Sequence, residues 1–278
     1  MSIKTGVVFS SGFFGFFAHA GFLSGLREAG VSPSGYGGVS SGAIVAAMAA
    51  TGMTDKEIRD MLYKVKKSDF WDPDPWHVLF KNAFKIFRGY SGYLRGRKFA
   101  AMLEKLPVKR VEECRHPLVI ATTNLTGKKE EIFSRGDLVK AVWGSGAVPM
   151  LFKPVDINGS LHVDGGLVNK APLRALAERI MPDRIIVHYI LSGNLSGRPD
   201  SFLKKKMTPW YINSLTINIA RQISYRMQCD MVREMGIEVV EVKSRHVTLG
   251  PDRLNLGPQI YEQVKKTTSE ALLSAGRN

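Results

Sequence analysis

Three short segments of the sequence carry residue types at spacings that could perform acyl transfer. Gly38-Val39-Ser40-Ser41-Gly42 fits G-x-S-x-G, with extended residues before it and the helix-forming run Ala43 to Ala50 after it. A strand-turn-helix elbow would turn Ser40 outward as a nucleophile, and Gly38 and Gly42 would stand where a Cβ collides. Read alone, the pentapeptide is more often a helix N-cap serine in a glycine loop. The second segment, Ser11-Gly12-Phe13-Phe14-Gly15, could present the backbone N–H groups of Gly12, Phe13 and Phe14 to an anion. It lacks the Lys-Ser/Thr of a Walker A loop and the spacing of a dinucleotide fingerprint, which leaves an oxyanion hole or a tight strand-helix turn. The third is His162-Val163-Asp164-Gly165-Gly166-Leu167-Val168-Asn169-Lys170-Ala171-Pro172. A carboxylate at a strand end, followed by the close-approach glycines Gly165 and Gly166, suits a general base; taken singly it is an Asp-Gly turn.

The order of the three, glycine loop, G-x-S-x-G elbow and then D-G-G, resembles the patatin-like phospholipase family. The linking segments Ala121 to Gly127 and Ala141 to Val155 are similar as well, and the likeness is strongest over 6–52 and 117–173. The resemblance implies a three-layer α/β/α fold and a Ser40-Asp164 dyad acting on lipid acyl esters, with no metal or organic cofactor. One departure stands out. The family's first loop usually reads G-G-G-x-R/K-G, whereas Ser11, Gly12, Phe13, Phe14, Gly15 and Phe16 occupy it here, so the basic residue is missing and a Phe at positive φ would be strained. A triad is the formal alternative: Ser40, Asp164 or Asp183, then His188 or His246. His188 lies mid-strand between apolar neighbours, where a packed imidazole is expected, and His19 and His162 fall close to the site loops without a direct role.

Elements that would position these residues alternate as βαβα: a strand at 6–9, a helix at 17–29, a strand and turn at 35–39, and a helix at 41–51. Strand-like runs return at 117–122, 185–190 and 238–242, which predicts a mainly parallel sheet wrapped by helices in a single domain. Residues 55–110 interrupt the pattern as a helical cap insertion. Within it, Asp74 as N-cap, Pro75 and Gly89 bound a helix over 75–88, with Trp76, Phe80, Phe84 and Phe87 opposite Lys81, Lys85 and Arg88. A further long helix from Thr208-Pro209 to Gly236 carries Leu215, Ile219, Ile223, Met227 and Met231 at steps of four, a stripe that reads as core.

Composition sets outer bounds. At 278 residues, 44% hydrophobic and 23% charged, the chain is neither collagen-like, coiled-coil nor disordered. Its two cysteines, Cys114 and Cys229, form no framework or zinc spacing and read as inert thiols of a reducing compartment. The net charge of +14 is localised: fourteen basic against six acidic residues over 56–110, and five against none over 201–229. With the amphipathic cap helix, this favours an anionic membrane surface as partner over nucleic acid. Thr5 to Leu26 mimics a signal peptide, but Ser10, Ser11, Gly12 and Gly15 break its apolar run. The expectation is a cytoplasmic protein, peripheral at membranes, hydrolysing esters of phospholipids, lysophospholipids or related acyl lipids. An acyltransferase and an inactive lipid-binding protein are the rivals; a nucleotide-binding fold lacks its ribose-binding acid between Val31 and Ser40.

Overall fold

The computed structural model describes residues 3–75, 91–191, 209–245 and 249–275. In chain order its elements are β1 (Thr5–Phe9), α1 (Phe16–Glu28), β2 (Pro33–Val39), α2 (Ser41–Ala50), α3 (Asp55–Tyr63), β3 (Gly92–Leu94), α4 (Arg97–Leu103), β4 (Leu118–Asn124), β5 (Lys129–Phe133) and α5 (Leu138–Ser145). Then follow β6 (Met150–Phe152), β7 (Val155–Ile157), β8 (Ser160–Asp164), α6 (Leu173–Ile180), β9 (Arg184–Ile190), α7 (Pro209–Glu234), β10 (Glu238–Ser244) and α8 (Gly257–Ala275).

The main sheet runs β10-β9-β1-β2-β4 in parallel and continues through the antiparallel strands β8 and β7, with β5 also antiparallel to β4. Parallel strands covered on both faces read as unbroken apolar runs, and β1 is buried at every position. Its successive side chains enter different layers: Val7 and Phe9 join the core under α1 and α2, while Val8 joins Leu173, Leu176 and Tyr225 of α6 and α7. This is the expected three-layer α/β/α architecture. The antiparallel strands were not foreseen. In β5, Lys129-Glu130-Glu131-Ile132-Phe133, four of five residues are exposed or half-buried, so it has no apolar run to announce it.

α2 is apolar all round and buried along its whole length, as a helix enclosed between other elements must be. α3 begins with a capping box in which Thr54 and Glu57 exchange hydrogen bonds. Within the 55–110 segment, α3, β3 and α4 are described, and β3 pairs in parallel with β6 as a small separate sheet. The amphipathic helix expected over 75–88 lies outside the described residues apart from its first residue, Pro75, and so does His246. Asp74 is described, its carboxylate 2.6 Å from Lys153 Nζ.

α7 overturns one expectation. Its Ile219, Ile223, Met227 and Met231 are exposed, and the buried face is instead Asn218, Tyr225, Cys229 and Val232. The helix carries two apolar stripes on opposite sides, and the one that looked like core faces outward. Burial pushes the Cys114 thiol up to about 11 and raises that of Cys229, so neither is an activated thiolate. Among the described residues, no helix is long and apolar enough to cross a membrane.

Candidate active site

Ser40 sits in the turn between β2 and α2 with φ 56° and ψ −125°, a conformation that costs a non-glycine residue energy and persists only where its surroundings enforce it. Two restraints are visible. The Ser40 N–H donates to Ser145 Oγ at 2.9 Å, and Ser145 Oγ in turn donates to the Ala121 carbonyl at 2.7 Å. The flanking glycines allow the backbones to close: a Cβ on Gly38 would lie 2.5 Å from the Gly42 carbonyl oxygen, and one on Gly42 would lie 2.4 Å from that of Phe9.

The Ser40 hydroxyl donates to Asp164 Oδ2 at 2.6 Å, and the second carboxylate oxygen, Oδ1, accepts the Gly166 N–H at 2.6 Å. Both side chains are buried. Burial raises the Asp164 pKa above the ordinary aspartate value, opposed by the Ser40 and Gly166 hydrogen bonds and by the cations of Arg221 and Lys170. A carboxylate made more basic in this way is a better proton acceptor for a hydroxyl.

The loop after β1 lies beside this pair. Gly12, Phe13 and Phe14 line one apolar cleft with Ser40, a space of about 640 Å³ partly open to solvent, whose walls include Leu62, Phe70, Phe99, Met102 and Leu151. Phe14 takes φ +50°, the strained geometry anticipated for this loop, and packs its ring on Phe16 and Phe70. Among the described residues, the N–H groups of Gly12, Phe13 and Phe14 donate to no protein acceptor, whereas those of Ser10, Ser11 and Gly15 are all bonded.

His19, His162 and His188 each hydrogen-bond a partner outside the Ser40-Asp164 pair. His188 Nδ1 meets His19 Nδ1 at 2.8 Å, its Nε2 meets Ser244 Oγ at 2.9 Å, and its ring stacks on Phe22. It lies on β9, two strands from the strand that ends at Ser40, about 10 Å across the sheet. His162 Nδ1 bonds Thr122 Oγ1 at 2.9 Å, and burial lowers its pKa. Asp183 accepts the Lys4 N–H at 2.7 Å beside the start of β9, at the end of the sheet opposite Ser40. Ser40 and Asp164 are therefore brought together, and Asp183 and His188 are not.

Three neighbours went unnoticed in the sequence. Ser145 had no signal beyond its place in a Gly-Ser-Gly run. Lys170 follows the D-G-G segment and is only 2% exposed; its pKa falls well below the ordinary lysine value through burial first and the nearby Arg221 second. Arg221, on the inner face of α7, donates to the Gly166 carbonyl at 3.1 Å and reaches Ser11 Oγ at 3.4 Å. A lysine or arginine is a surface residue by default, so neither drew attention as part of a buried site.

A model of patatin-like phospholipases matches residues 7–177, from β1 into α6. The chain belongs to the patatin-like phospholipase family. An uncharacterised NTE family protein of Mycobacterium bovis is 28% identical over 163 residues, covering 58% of this chain and 42% of that protein. Lysophospholipase NTE1 of Cryptococcus neoformans is 25% identical over 171 residues, 61% of this chain and 10% of its own length. The chain thus spans less than half the length of these curated relatives. Among solved structures, VipD from Legionella pneumophila aligns with 98% of this chain and 67% of its own at 14% identity and a TM-score of 0.49. The matched patatin-like segment holds Ser40, Asp164 and Lys170; α7, with Arg221, and α8 lie beyond it.

Proposed function

We propose that this patatin-like chain is a serine acyl hydrolase that cleaves carboxylic esters of phospholipids, lysophospholipids or related acyl lipids through a Ser40-Asp164 dyad. The observation that carries the reading is the 2.6 Å hydrogen bond to Asp164 Oδ2 from the Oγ of Ser40, which lines a cleft walled by aromatic and aliphatic side chains. Asp164 takes the Ser40 proton as Oγ attacks the ester carbonyl carbon, and the unpartnered N–H groups of Gly12, Phe13 and Phe14 stabilise the resulting oxyanion. The carbonyl reforms as the C–O bond to the alcohol breaks, and Asp164 returns the proton to the leaving oxygen. Water, deprotonated by Asp164, then attacks the Ser40 ester; the bond to Oγ breaks, Asp164 returns the proton to Oγ, and the fatty acid is freed. The apolar cleft accommodates the acyl chain. Leu62, Phe70, Phe99 and Met102 belong to the 55–110 insertion, which in this reading is a cap over the acyl site. The scheme needs no metal or organic cofactor.

The deciding experiment is hydrolysis of an ester panel, from p-nitrophenyl acetate to long-chain lysophospholipids, by wild type and Ser40→Ala, with alcohol acceptors added in parallel. Free acid released by wild type and not by Ser40→Ala supports the reading. Transfer to the added acceptor in place of hydrolysis makes the protein an acyltransferase, and a folded wild type inert on every ester overturns the enzyme assignment.

A further inference from the structure

We infer that Lys170 is a positioning residue for the oxyanion loop: it clamps both backbone groups of Ser11 and so aims the Gly12 N–H into the acyl cleft. The inference rests on the hydrolase reading and adds to it a residue outside the dyad and the loop.

The clamp is reciprocal. The Ser11 N–H donates to the Lys170 carbonyl at 2.8 Å, and the Lys170 side chain returns to donate from Nζ to the Ser11 carbonyl at 2.7 Å. Ser10 Oγ also reaches that carbonyl, but at 3.5 Å. A trans peptide is planar, and its C=O and following N–H point in opposite directions. Among the described residues no peptide bond is cis, so fixing the Ser11 carbonyl on Lys170 fixes the Gly12 N–H pointing away from it. Gly12 lines the cleft beside Ser40, and its N–H has no acceptor among the described residues. A donor held without a partner next to a nucleophile is what a developing oxyanion requires, since the cost of orienting it is met before the reaction.

The lysine is itself held. It is 2% exposed, its Nζ lies 5.1 Å from the centroid of the Tyr189 ring, and Arg221 reaches the same loop at Ser11 Oγ. An ammonium and a neutral amine can each donate to a carbonyl, so the clamp does not depend on the charge that Lys170 carries. A buried lysine with a merely structural role would affect stability and ground-state binding; one that aims an oxyanion donor affects the transition state.

The test compares wild type, Lys170→Met and Lys170→Gln on a soluble p-nitrophenyl ester at the pH plateau. It is accompanied by inhibition with a long-chain trifluoromethyl ketone, whose Ser40 adduct carries an oxyanion. Circular dichroism checks the fold. The expected result for Lys170→Met is a kcat about 10- to 100-fold lower with KM within about threefold of wild type, and inhibitor affinity reduced in parallel with kcat. If Lys170→Met does not fold, Lys170→Gln decides, because its shorter side chain cannot reach the Ser11 carbonyl from the same backbone position; it should show the same split. A folded variant with wild-type kcat and inhibitor affinity overturns the inference, as does a loss that appears in KM alone. Those results leave the hydrolase reading standing, whereas a wild type that hydrolyses no ester removes both.

Discussion

Ser40 and Asp164 meet because their strands end against each other on one edge of β4. β2 runs up that edge as far as Val39, opposite Ala121, and β8 runs down it as far as Asp164, opposite Thr122, the next residue. β5 occupies the other edge. The two residues are thus adjacent along β4 although 124 residues separate them in sequence. The proposed dyad acts as one unit, so Ser40→Ala and Asp164→Asn should each lower kcat by about 10³-fold or more, and the double variant should lose little beyond either. His188→Gln, if folded, should keep substantial turnover. A histidine variant that folds and is as inactive as Ser40→Ala would establish a triad instead.

A fluorophosphonate should phosphonylate Ser40 alone. Mass spectrometry of a tryptic digest locates the adduct, and Asp164→Asn should slow labelling, since the proton from Oγ then has no base to accept it. An adduct on another serine would place the nucleophile elsewhere.

Activity should fall on the acid side with a midpoint above the usual aspartate pKa. In the proposed mechanism Asp164 is the base only when ionised, and burial raises its pKa, so kcat/KM should be full at higher pH and lost as pH falls through that raised value. Arg221 favours the ionised form. Arg221→Met should therefore move the acid limb further upward in a pH-rate profile, whatever it does to the plateau. A downward shift would contradict the electrostatic assignment.

The cleft walls should set acyl length. Met102→Trp fills space among Leu62, Phe70 and Phe99 without touching the dyad and should raise KM for long-chain esters by about 10-fold or more while leaving acetyl esters unchanged. Equal effects on both chain lengths would show that the acyl group lies elsewhere.

Gly42→Ala should destabilise the fold. Its Cβ would stand 2.4 Å from the Phe9 carbonyl oxygen, a backbone atom of a central strand that cannot turn aside. A cost of about 2–3 kcal/mol is expected, a fall in Tm of roughly 4–10 °C. An unchanged melting temperature would mean that the elbow relaxes more readily than its packing suggests.

How much of this was legible in advance follows from where the information lies. The glycine loop, the elbow and the D-G-G turn announce themselves because backbone geometry there dictates residue type locally, and β1, β4 and β9 do so because each carries a run of apolar residues. The pairing of β8 against β4 is a long-range fact with no local signature. α7 shows the limit of periodicity: Ile219, Ile223 and Met227 mark one stripe, Tyr225, Cys229 and Val232 another, and only the neighbours decide which is inward. Lys170 and Arg221 were hidden by the ordinary expectation that such residues face water.

The contact between α1 and α8 bears on how the chain is made. α1 follows the loop of Gly12, Phe13 and Phe14 and is buried from Phe16 to Leu26, and α8 lies so close that a Cβ on Gly21 or Gly25 would stand 2.3 Å or 2.4 Å from the carbonyl oxygens of Tyr261 and Lys265. A ribosome finishes α1 long before it begins α8. At typical elongation rates, translating from Glu28 to Gly257 takes roughly 10–45 s, during which the α1 surface that α8 will cover has no partner from its own chain. The nascent polypeptide therefore holds Ser40 and then Asp164 before α8 exists to cover α1, so the packing behind the loop of Gly12, Phe13 and Phe14 is completed only once α8 has been made.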